Sequence, residues 1–404
     1  MLLQKFYRAP IITALLCAGL HAQSVLSVQC PAGLPVAHSA GPSLSIGGAG
    51  TGVQNDFFGM ADNVANLGGM NRAVFSAVTS FDFLEISQTK DHTRHFALSP
   101  RLFSFAFPIN PVGSFGFSVD KRNTLNYRFD STITFDLNGS SVAESLCVSV
   151  VGGLSSWQAG WGRAIGRWAL AGISYERIYL SSDDITLYSA AINGIGKPRY
   201  DSLRCIFRGN ALRGGILLPV GKLTAGMTGE YPFKGNASRI LGSNNTDSGG
   251  LGTQKFLLKL PPSLSLGVSY AVSPEWMAAV SGGITLWQEY SSQNTLGGNV
   301  GNALSFSAGT QYIPAPNLLV PRYWEIMQYR MGFRYSKLPV VTASEFAFNA
   351  SIGLPLLRGG GLVDLIAEFG KRSDSRLNYS DTFLQLFIGI NGGRKWSQST
   401  GIRY

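Results

Sequence analysis

Large apolar and small or polar residues alternate with a period of two through much of the chain after residue 72. Segment 102–107 (LFSFAF) has phenylalanine at every second position, and segment 263–270 (SLSLGVSY) alternates serine or glycine with larger apolar residues. This period predicts β-strands with two unlike faces. Fourteen strand candidates can be placed, over residues 73–86, 95–107, 113–127, 148–163, 167–180, 204–218, 222–231, 262–271, 276–289, 303–312, 326–335, 344–354, 361–370 and 382–391.

The connections between these candidates alternate in length. Short turns are expected at 108–113, 163–167, 219–222, 271–275 and 355–361, and long polar loops at 124–145, 181–202 and 233–260. The proline-rich segment 313–325 is an exception, because it is long where a turn is expected. Membrane barrels have short turns on one side and long loops outside, and strands of about ten residues suit a tilted membrane strand. We therefore predict an all-β fold, a transmembrane antiparallel β-barrel of about 14 strands over residues 72–404.

Composition and the first residues indicate an exported protein. The 404-residue chain is 14% charged, against about 25% in typical soluble domains. Lys5 and Arg8 precede the apolar run 11–20, which is too short for a spanning helix and typical of a signal peptide. We predict a signal peptide at residues 1–24 and a location in the outer membrane of a Gram-negative bacterium, with outer-membrane lipid as a partner.

Residues 25–71 differ from the rest of the chain. They are rich in Gly, Ser and Asn, but they also carry apolar side chains such as Ile46, Val53 and Leu67. The segment is too apolar for a linker, and it is too small and too rich in glycine to form a core of its own. The segment is expected to be an N-terminal plug inside the barrel lumen.

Several kinds of chemistry are not expected. The net charge is +10, but basic residues are scattered rather than striped, so no nucleic-acid partner is predicted. Cysteine and histidine spacing indicates no metal site, and no catalytic arrangement or cofactor site is apparent, so the protein is not expected to be an enzyme. Cys147 and Cys205 both begin descending strands on the outer side, and a disulfide between them is a hypothesis.

Five polar residues on two late strand candidates are expected to face the lumen. A charge on the lipid face costs about 2–4 kcal/mol at the centre of the bilayer, and alternation turns these residues inward: Gln328, Arg330, Arg334, Asp364 and Glu368. They are consistent with a structural ion-pair network. They are also consistent with a contact for the polar end of an amphipathic ligand.

Segment 43–70 resembles the N-terminal hatch motif of the FadL-type outer-membrane transporters of hydrophobic compounds. That family has a G-x-G-x-A-like run, a short acidic spacer and then Asn-Pro-Ala-Gly. The matching residues here are Gly47, Gly48, Ala49, Gly50, Asp56, Asn66 and Gly69. Leu67 replaces the proline of the family. The C-terminal segments 367–372, 383–391 and 393–396 resemble the last two strands of Bacteroidetes-type members, including PorV-like proteins.

The resemblance implies fourteen strands, a plug and one of two functions. The first is passive uptake of hydrophobic or amphipathic small molecules such as long-chain fatty acids. The alternative is a PorV-like role as an outer-membrane component of protein secretion (type IX), with secretion-machinery proteins as partners. The apolar content of the predicted outer loops, for example 256–258 (FLL), favours uptake. A general porin is disfavoured by the plug.

Overall fold

A computed structural model describes most of the chain after residue 23. The described residues are 24–30, 32–37, 39–55, 57, 59–88, 91–109, 111–137, 140–190, 199–243, 252–288, 300–318, 321–356 and 360–394. Residues 1–23 of the predicted signal peptide, Asp56 and the tail after Arg394 lie outside these residues. No helix in the described ranges is long and apolar enough to cross a membrane.

The described part of the chain after residue 72 contains fourteen antiparallel strands. In chain order they are β1 (Ala73–Gln88), β2 (Asp91–Ile109), β3 (Gly113–Leu137), β4 (Ser140–Ile165), β5 (Ala169–Ala190), β6 (Arg199–Val220), β7 (Leu223–Pro232 and Lys234–Ser243), β8 (Thr253–Lys259 and Ser263–Ala271), β9 (Trp276–Thr285), β10 (Ala303–Tyr312), β11 (Gln328–Lys337), β12 (Ala343–Pro355), β13 (Gly361–Asp374) and β14 (Tyr379–Arg394).

These strands close into a barrel. Each strand pairs with the next in the chain, and β14 returns to pair with β1 from Ser380↔Ser87 to Arg394↔Ala73. Strands β7 and β8 are each interrupted once. Phe233 interrupts β7 as part of a bulge, and its N–H still donates to Asn210 O over 2.8 Å. Residues 260–262 interrupt β8, where Pro261 and Pro262 have no backbone N–H for the ladder. The predicted fold class, a transmembrane barrel of fourteen strands, is confirmed.

Side chains alternate between the two faces of the wall. In β12, Phe346 and Phe348 are each 47% exposed on the outside, whereas Ala347 and Asn349 are buried on the inside. Strands β2, β13 and β14 follow the same pattern. Such an apolar outer face is typical of a membrane barrel.

Tight turns lie at one end of the barrel, the turn side, and the opposite end is the loop side. Exposed tryptophans are found near the turn side, at Trp161, Trp168, Trp276 and Trp324. The connection from β10 to β11 is also on this side. It is long, as the sequence indicated, and contains the short helix Tyr323–Ile326. The Glu325 carboxylate accepts a hydrogen bond from the backbone N–H of Arg322 over 2.8 Å at the start of this helix.

The predicted long loops on the loop side are largely strand. Strands β3 to β6 are 22–26 residues long, and the hairpin of β3 and β4 stays paired up to Leu137↔Ser140. The prediction of long polar loops over 124–145, 181–202 and 233–260 was therefore wrong for much of their length. These segments contain many Thr, Val, Ile and Tyr residues that favour paired strands. The strands in these segments could not be predicted from alternation, because a barrel wall outside the bilayer does not need an apolar outer face.

The N-terminal segment, residues 24–72, lies within the ring of strands. It contains the short helices Val25–Gln29, Gly41–Leu44 and Gly59–Asp62, the strand Leu34–Pro35 paired with β3, and the 3₁₀ helix Val64–Gly69. Hydrogen bonds join it to distant parts of the wall. Asn349 Nδ2 of β12 donates to Leu44 O over 2.7 Å, and Asn63 Nδ2 donates to Thr51 O and to Ile216 O of β6.

The cysteines do not form the hypothesised disulfide. Cys147 on β4 and Cys205 on β6 are both free, and β5 lies between their strands. Cys147 pairs with Leu187 and Cys205 with Ser182 of β5, so the two thiols occupy opposite faces of the sheet. Two strand spacings amount to about 9–10 Å, which exceeds the Cα separation of about 7 Å that a disulfide allows.

These positions predict unequal thiol reactivity. Cys30 is 2% exposed in the N-terminal segment, and burial raises the pKa of its thiol to about 12. Because the thiolate is the reactive species, we expect maleimide to label Cys147 in the folded barrel and Cys30 only after denaturation. Peptide mass spectrometry of native and denatured samples measures both. A Cys147–Cys205 crosslinked peptide, or rapid native labelling of Cys30, would contradict the described packing.

Candidate functional site

The predicted lumen residue Arg330 forms a buried ion pair with Asp364. Its Nη1 atom donates to Asp364 Oδ1 over 2.6 Å, and the two side chains are 1% and 0% exposed. Gln328 also accepts from this guanidinium, and Asn391 donates to the second oxygen of Asp364 over 2.8 Å. Gly41 of the N-terminal segment packs against the same carboxylate. The group therefore joins β11, β13 and β14 to the N-terminal segment.

Arg334 belongs to a second, larger network nearer the loop side. Its Nη2 atom is 2.9 Å from Glu345 and 2.9 Å from Glu368. Glu345 also pairs with Arg372, which in turn lies 3.3 Å from Asp381. The N-terminal segment contacts this network as well, because Ser24 Oγ donates to Asp381 over 2.6 Å.

A third charged cluster, which the sequence reasoning missed, lies across the lumen on β3, β5 and β7. Arg122 pairs with Glu230 and lies 3.3 Å from Glu176. The ladder of β3 and β4 shifts register between Lys121 and Asn123, and Arg122 is the bulged residue. The bulge also turns Lys121 inward, against simple alternation.

A cavity of about 370 Å³ lies between the second and third networks. Arg334 and Glu345 line one side, and Arg122 and Glu230 line another. Residues of the N-terminal segment, among them Gly47 and Gly48, also line it. The apolar side chains of the lining include Val36, Leu44, Leu154, Leu260, Trp287 and Leu338. Arg330, Gln328, Asp364 and Glu368 are not part of the lining. The structure therefore separates the predicted lumen residues, and Arg334 alone among those five reaches this cavity.

Arg213 on β6 also lines the cavity and was not identified from the sequence. Its guanidinium donates to Asp62 O over 3.0 Å and to Thr228 Oγ1 over 3.4 Å, and both acceptors are uncharged. Glu230 lies directly opposite Arg213 in the ladder of β6 and β7, but its carboxylate pairs with Arg122, and Arg213 forms no ion pair with a carboxylate among the described residues. Alternation along β6 predicts its inward orientation, since Ala211 and Leu217 are buried while Leu212 and Ile216 are exposed. The cavity thus combines an apolar lining with a guanidinium that forms no direct ion pair among the described residues.

The motif residues of the N-terminal segment pack tightly against the wall. Gly47 has φ +74°, and a Cβ there would lie 2.6 Å from the backbone oxygen of Phe333. Gly48 lines the cavity, Ala49 is fully buried, and Gly50 lies against Ser43 and Asp62. Asn66 accepts a hydrogen bond from the backbone of Asn55 over 3.3 Å, and Gly69 lies beside Gln54 and Leu170.

A larger depression of about 890 Å³ lies on the outer wall and extends from β9 through β14 to β1. Its lining includes exposed apolar side chains such as Phe83, Met331, Leu365 and Leu386. A bilayer supplies the acyl chains that cover such a surface. The lumen cavity, which carries both apolar and charged groups, is the better candidate for a selective site.

Solved barrels of several hydrophobic-compound transporters have a similar fold. A Pseudomonas aeruginosa FadL homologue is 12% identical with a TM-score of 0.61, covering 91% of this chain and 100% of its own. The Ralstonia pickettii toluene transporter TbuX is 14% identical with a TM-score of 0.58, covering 87% and 97%. The CymD monoaromatic hydrocarbon channel is 14% identical with a TM-score of 0.55, covering 89% and 98%.

Sequence comparisons add one partial match. The family model BamG matches residues 233–400, which is less than half of the chain. No curated protein matches the sequence. The structural matches show the fold, and at these identities the fold alone.

The buried pair predicts a stability effect at Arg330. Arg330→Met leaves Asp364 charged and without its partner, which costs about 3–5 kcal/mol in comparable buried pairs. We expect the free energy of unfolding, measured by urea titration in lipid vesicles, to fall by that amount. Arg128→Met is the control, because Arg128 is 58% exposed in its pair with Asp130.

A double variant, Arg330→Met with Asp364→Leu, distinguishes loss of the pair from loss of packing. Removing both charges recovers much of the stability in other buried pairs. If Arg330→Met unfolds at the same urea concentration as the unmodified protein, the pair does not stabilise the barrel.

Proposed function

We propose that this protein is an outer-membrane channel of a Gram-negative bacterium for the passive uptake of hydrophobic or amphipathic small molecules. Long-chain fatty acids are the ligand class that best fits the site. The fold supports this proposal, because several solved barrels that share it are named as transporters or channels of toluene and other hydrocarbons.

The observation that carries the proposal is the composition of the lumen cavity. Its volume of about 370 Å³ lies within the range of about 300–1,000 Å³ typical of small-molecule sites. Apolar side chains such as Leu154, Leu260 and Trp287 suit an acyl chain or a hydrocarbon. Arg213 offers a guanidinium that forms no direct ion pair, because the carboxylate of Glu230 opposite it pairs with Arg122. A carboxylate head group would form a charge-assisted hydrogen bond with this guanidinium.

Three inward arginines have different roles in this proposal. Arg330 and Asp364 hold the wall and the N-terminal segment together, and they do not meet the ligand. Arg334 is already neutralised by Glu345 and Glu368, so it contributes polarity to the cavity more than a free charge. Arg213 is the main anchor for the polar end of the ligand.

The N-terminal segment, predicted as residues 25–71, acts as the plug in this proposal. As the plug it closes one end of the cavity, and it contacts the wall through buried polar bonds. The ligand therefore has to leave past this segment or through the wall.

Substitution of Arg213 tests the anchor. Arg213→Gln keeps the polar contacts but removes the charge, and a hydrogen bond to a charged group contributes about 1.5–3 kcal/mol. We expect the apparent affinity for a labelled long-chain fatty acid to fall about tenfold or more in liposome uptake. Uptake of a neutral hydrocarbon of similar length is expected to stay unchanged.

Arg128→Gln is the matched control, because it removes an exposed arginine outside the cavity. Barrel-free liposomes give the background rate. If liposomes with the unmodified protein take up no more fatty acid or hydrocarbon than empty ones, the uptake proposal fails. The alternative, a component of protein secretion, then becomes the better account.

Removal of the N-terminal segment tests the plug. A barrel lacking residues 24–71 is expected to show a higher conductance in planar bilayers than the intact protein, because the lumen loses the residues that fill it. A difference in gel mobility between unboiled and boiled samples of the truncated protein shows that its barrel has folded. Equal conductance of two folded barrels would mean that the segment does not close the lumen.

A further inference from the structure

Three basic residues form a cluster on the outside of the barrel wall. Arg208 lies on β6, Lys234 begins the second half of β7, and Lys259 ends the first half of β8. Arg208 and Lys234 are exposed and Lys259 is half-buried. Alternation places all three on the outer face, since Phe207, Gly235 and Leu258 next to them are buried. We refer to these three residues as the basic cluster.

Strand register brings the three charges close together. Lys234 lies directly opposite Lys259, and such pairs have Cβ atoms about 4.5–5.5 Å apart. Arg208 lies opposite Asn236, two residues along β7 from Lys234, which makes Arg208 a diagonal neighbour at about 7–8 Å. Long side chains at these separations can meet on one anion.

Within the described residues, no carboxylate neutralises the basic cluster. Lys259 Nζ donates to Tyr231 Oη over 3.1 Å and lies 4.4 Å from the centre of that ring. A nearby arginine on the same face is different, because Arg204 pairs with Asp183 of β5. Like charges placed opposite one another in a sheet are destabilising. Lys234 and Lys259 therefore favour a bound anion that offsets their repulsion.

The basic cluster lies just beyond the apolar belt of the barrel. The second half of β8 carries exposed Leu264, Leu266, Val268 and Tyr270. Its nine residues rise about 30 Å along the strand, or about 23 Å across the membrane at a tilt of about 40°. This length matches the apolar band of about 25 Å in such barrels. Lys259 comes before this half of β8 in the chain and lies on its loop side, at the depth of the lipid head groups.

We propose that the basic cluster binds a phosphate group on the head of an anionic lipid in the outer leaflet. The lysines and the guanidinium supply the positive charge and the donors that a phosphate requires. Tyr231 and Phe233 are both exposed beside the cluster and offer apolar surface to the first segments of the acyl chains. The site faces the bilayer from outside and is separate from the lumen cavity.

Native mass spectrometry of the full-length protein in detergent tests this site. The probes are a bisphosphorylated lipid A, the same lipid with its phosphates removed, and inorganic phosphate as a competitor. We expect the phosphorylated lipid to bind at least tenfold more tightly than the dephosphorylated one. Millimolar inorganic phosphate is expected to displace little of it, because the acyl chains contribute to binding.

The triple variant Arg208→Gln, Lys234→Gln, Lys259→Gln is expected to bind the phosphorylated lipid at least tenfold more weakly. Arg204→Gln is the matched control, with unchanged binding, because its charge is already neutralised. The conservative variant Lys234→Arg, Lys259→Arg keeps the charge and is expected to retain binding, which covers the case in which the triple variant folds poorly. Equal binding by the triple variant and the Arg204→Gln control, or no preference for the phosphorylated lipid, would overturn the proposal.

Discussion

Closure of the backbone hydrogen-bond ladder is the constraint on which the rest of this structure depends. A bilayer offers no partners to backbone N–H and C=O groups, so a membrane-crossing sheet must have no free edge. Here β14 returns to β1 along the whole range from Ser380↔Ser87 to Arg394↔Ala73. Successive side chains of a strand point to opposite faces of the sheet, and closure makes one of these faces the lipid side and the other the lumen side.

The inward side chains create a second requirement, because a charge in a poorly hydrated lumen needs a partner. The protein meets it with networks in which each arginine contacts one or more carboxylates, such as Arg334 with Glu345 and Glu368. These networks hold the strands and the N-terminal segment together. Arg213 departs from this pattern, since its acceptors are Asp62 O and Thr228 Oγ1. That difference is why the proposed ligand contact is placed there.

Much of the barrel could be predicted from the sequence because period-two alternation is a direct consequence of a wall between lipid and lumen. The approximate positions of the fourteen strands follow from it. The tight turns lie at or near their predicted positions, although the turn predicted at 163–167 lies at 166–168. The outer extensions of β3 to β6 could not be found in this way, because a wall above the bilayer does not need an apolar face. Alternation also predicts that Arg330 and Asp364 point inward, but it cannot tell a buried pair from a cavity lining.

The cavity itself depends on contacts between residues far apart in the chain. Arg122 meets Glu230 of β7 across more than 100 residues, and its position follows from a bulge that no local pattern reveals. Arg213 could have been identified as inward from the alternation along β6. That it forms no ion pair could not be predicted, because Glu230 opposite it pairs with the bulged Arg122 and its own donors bond Asp62 O of the N-terminal segment and Thr228 Oγ1.

The most direct test of the proposed function is a crystal structure of the protein with a long-chain fatty acid brominated at its terminal carbon. The proposal predicts a carboxylate within hydrogen-bond distance of Arg213 and anomalous bromine signal within the lumen cavity, along the side lined by Leu154, Leu260 and Trp287. Bromine signal confined to the outer depression around Met331 and Leu365, with no ligand density in the lumen, would contradict it.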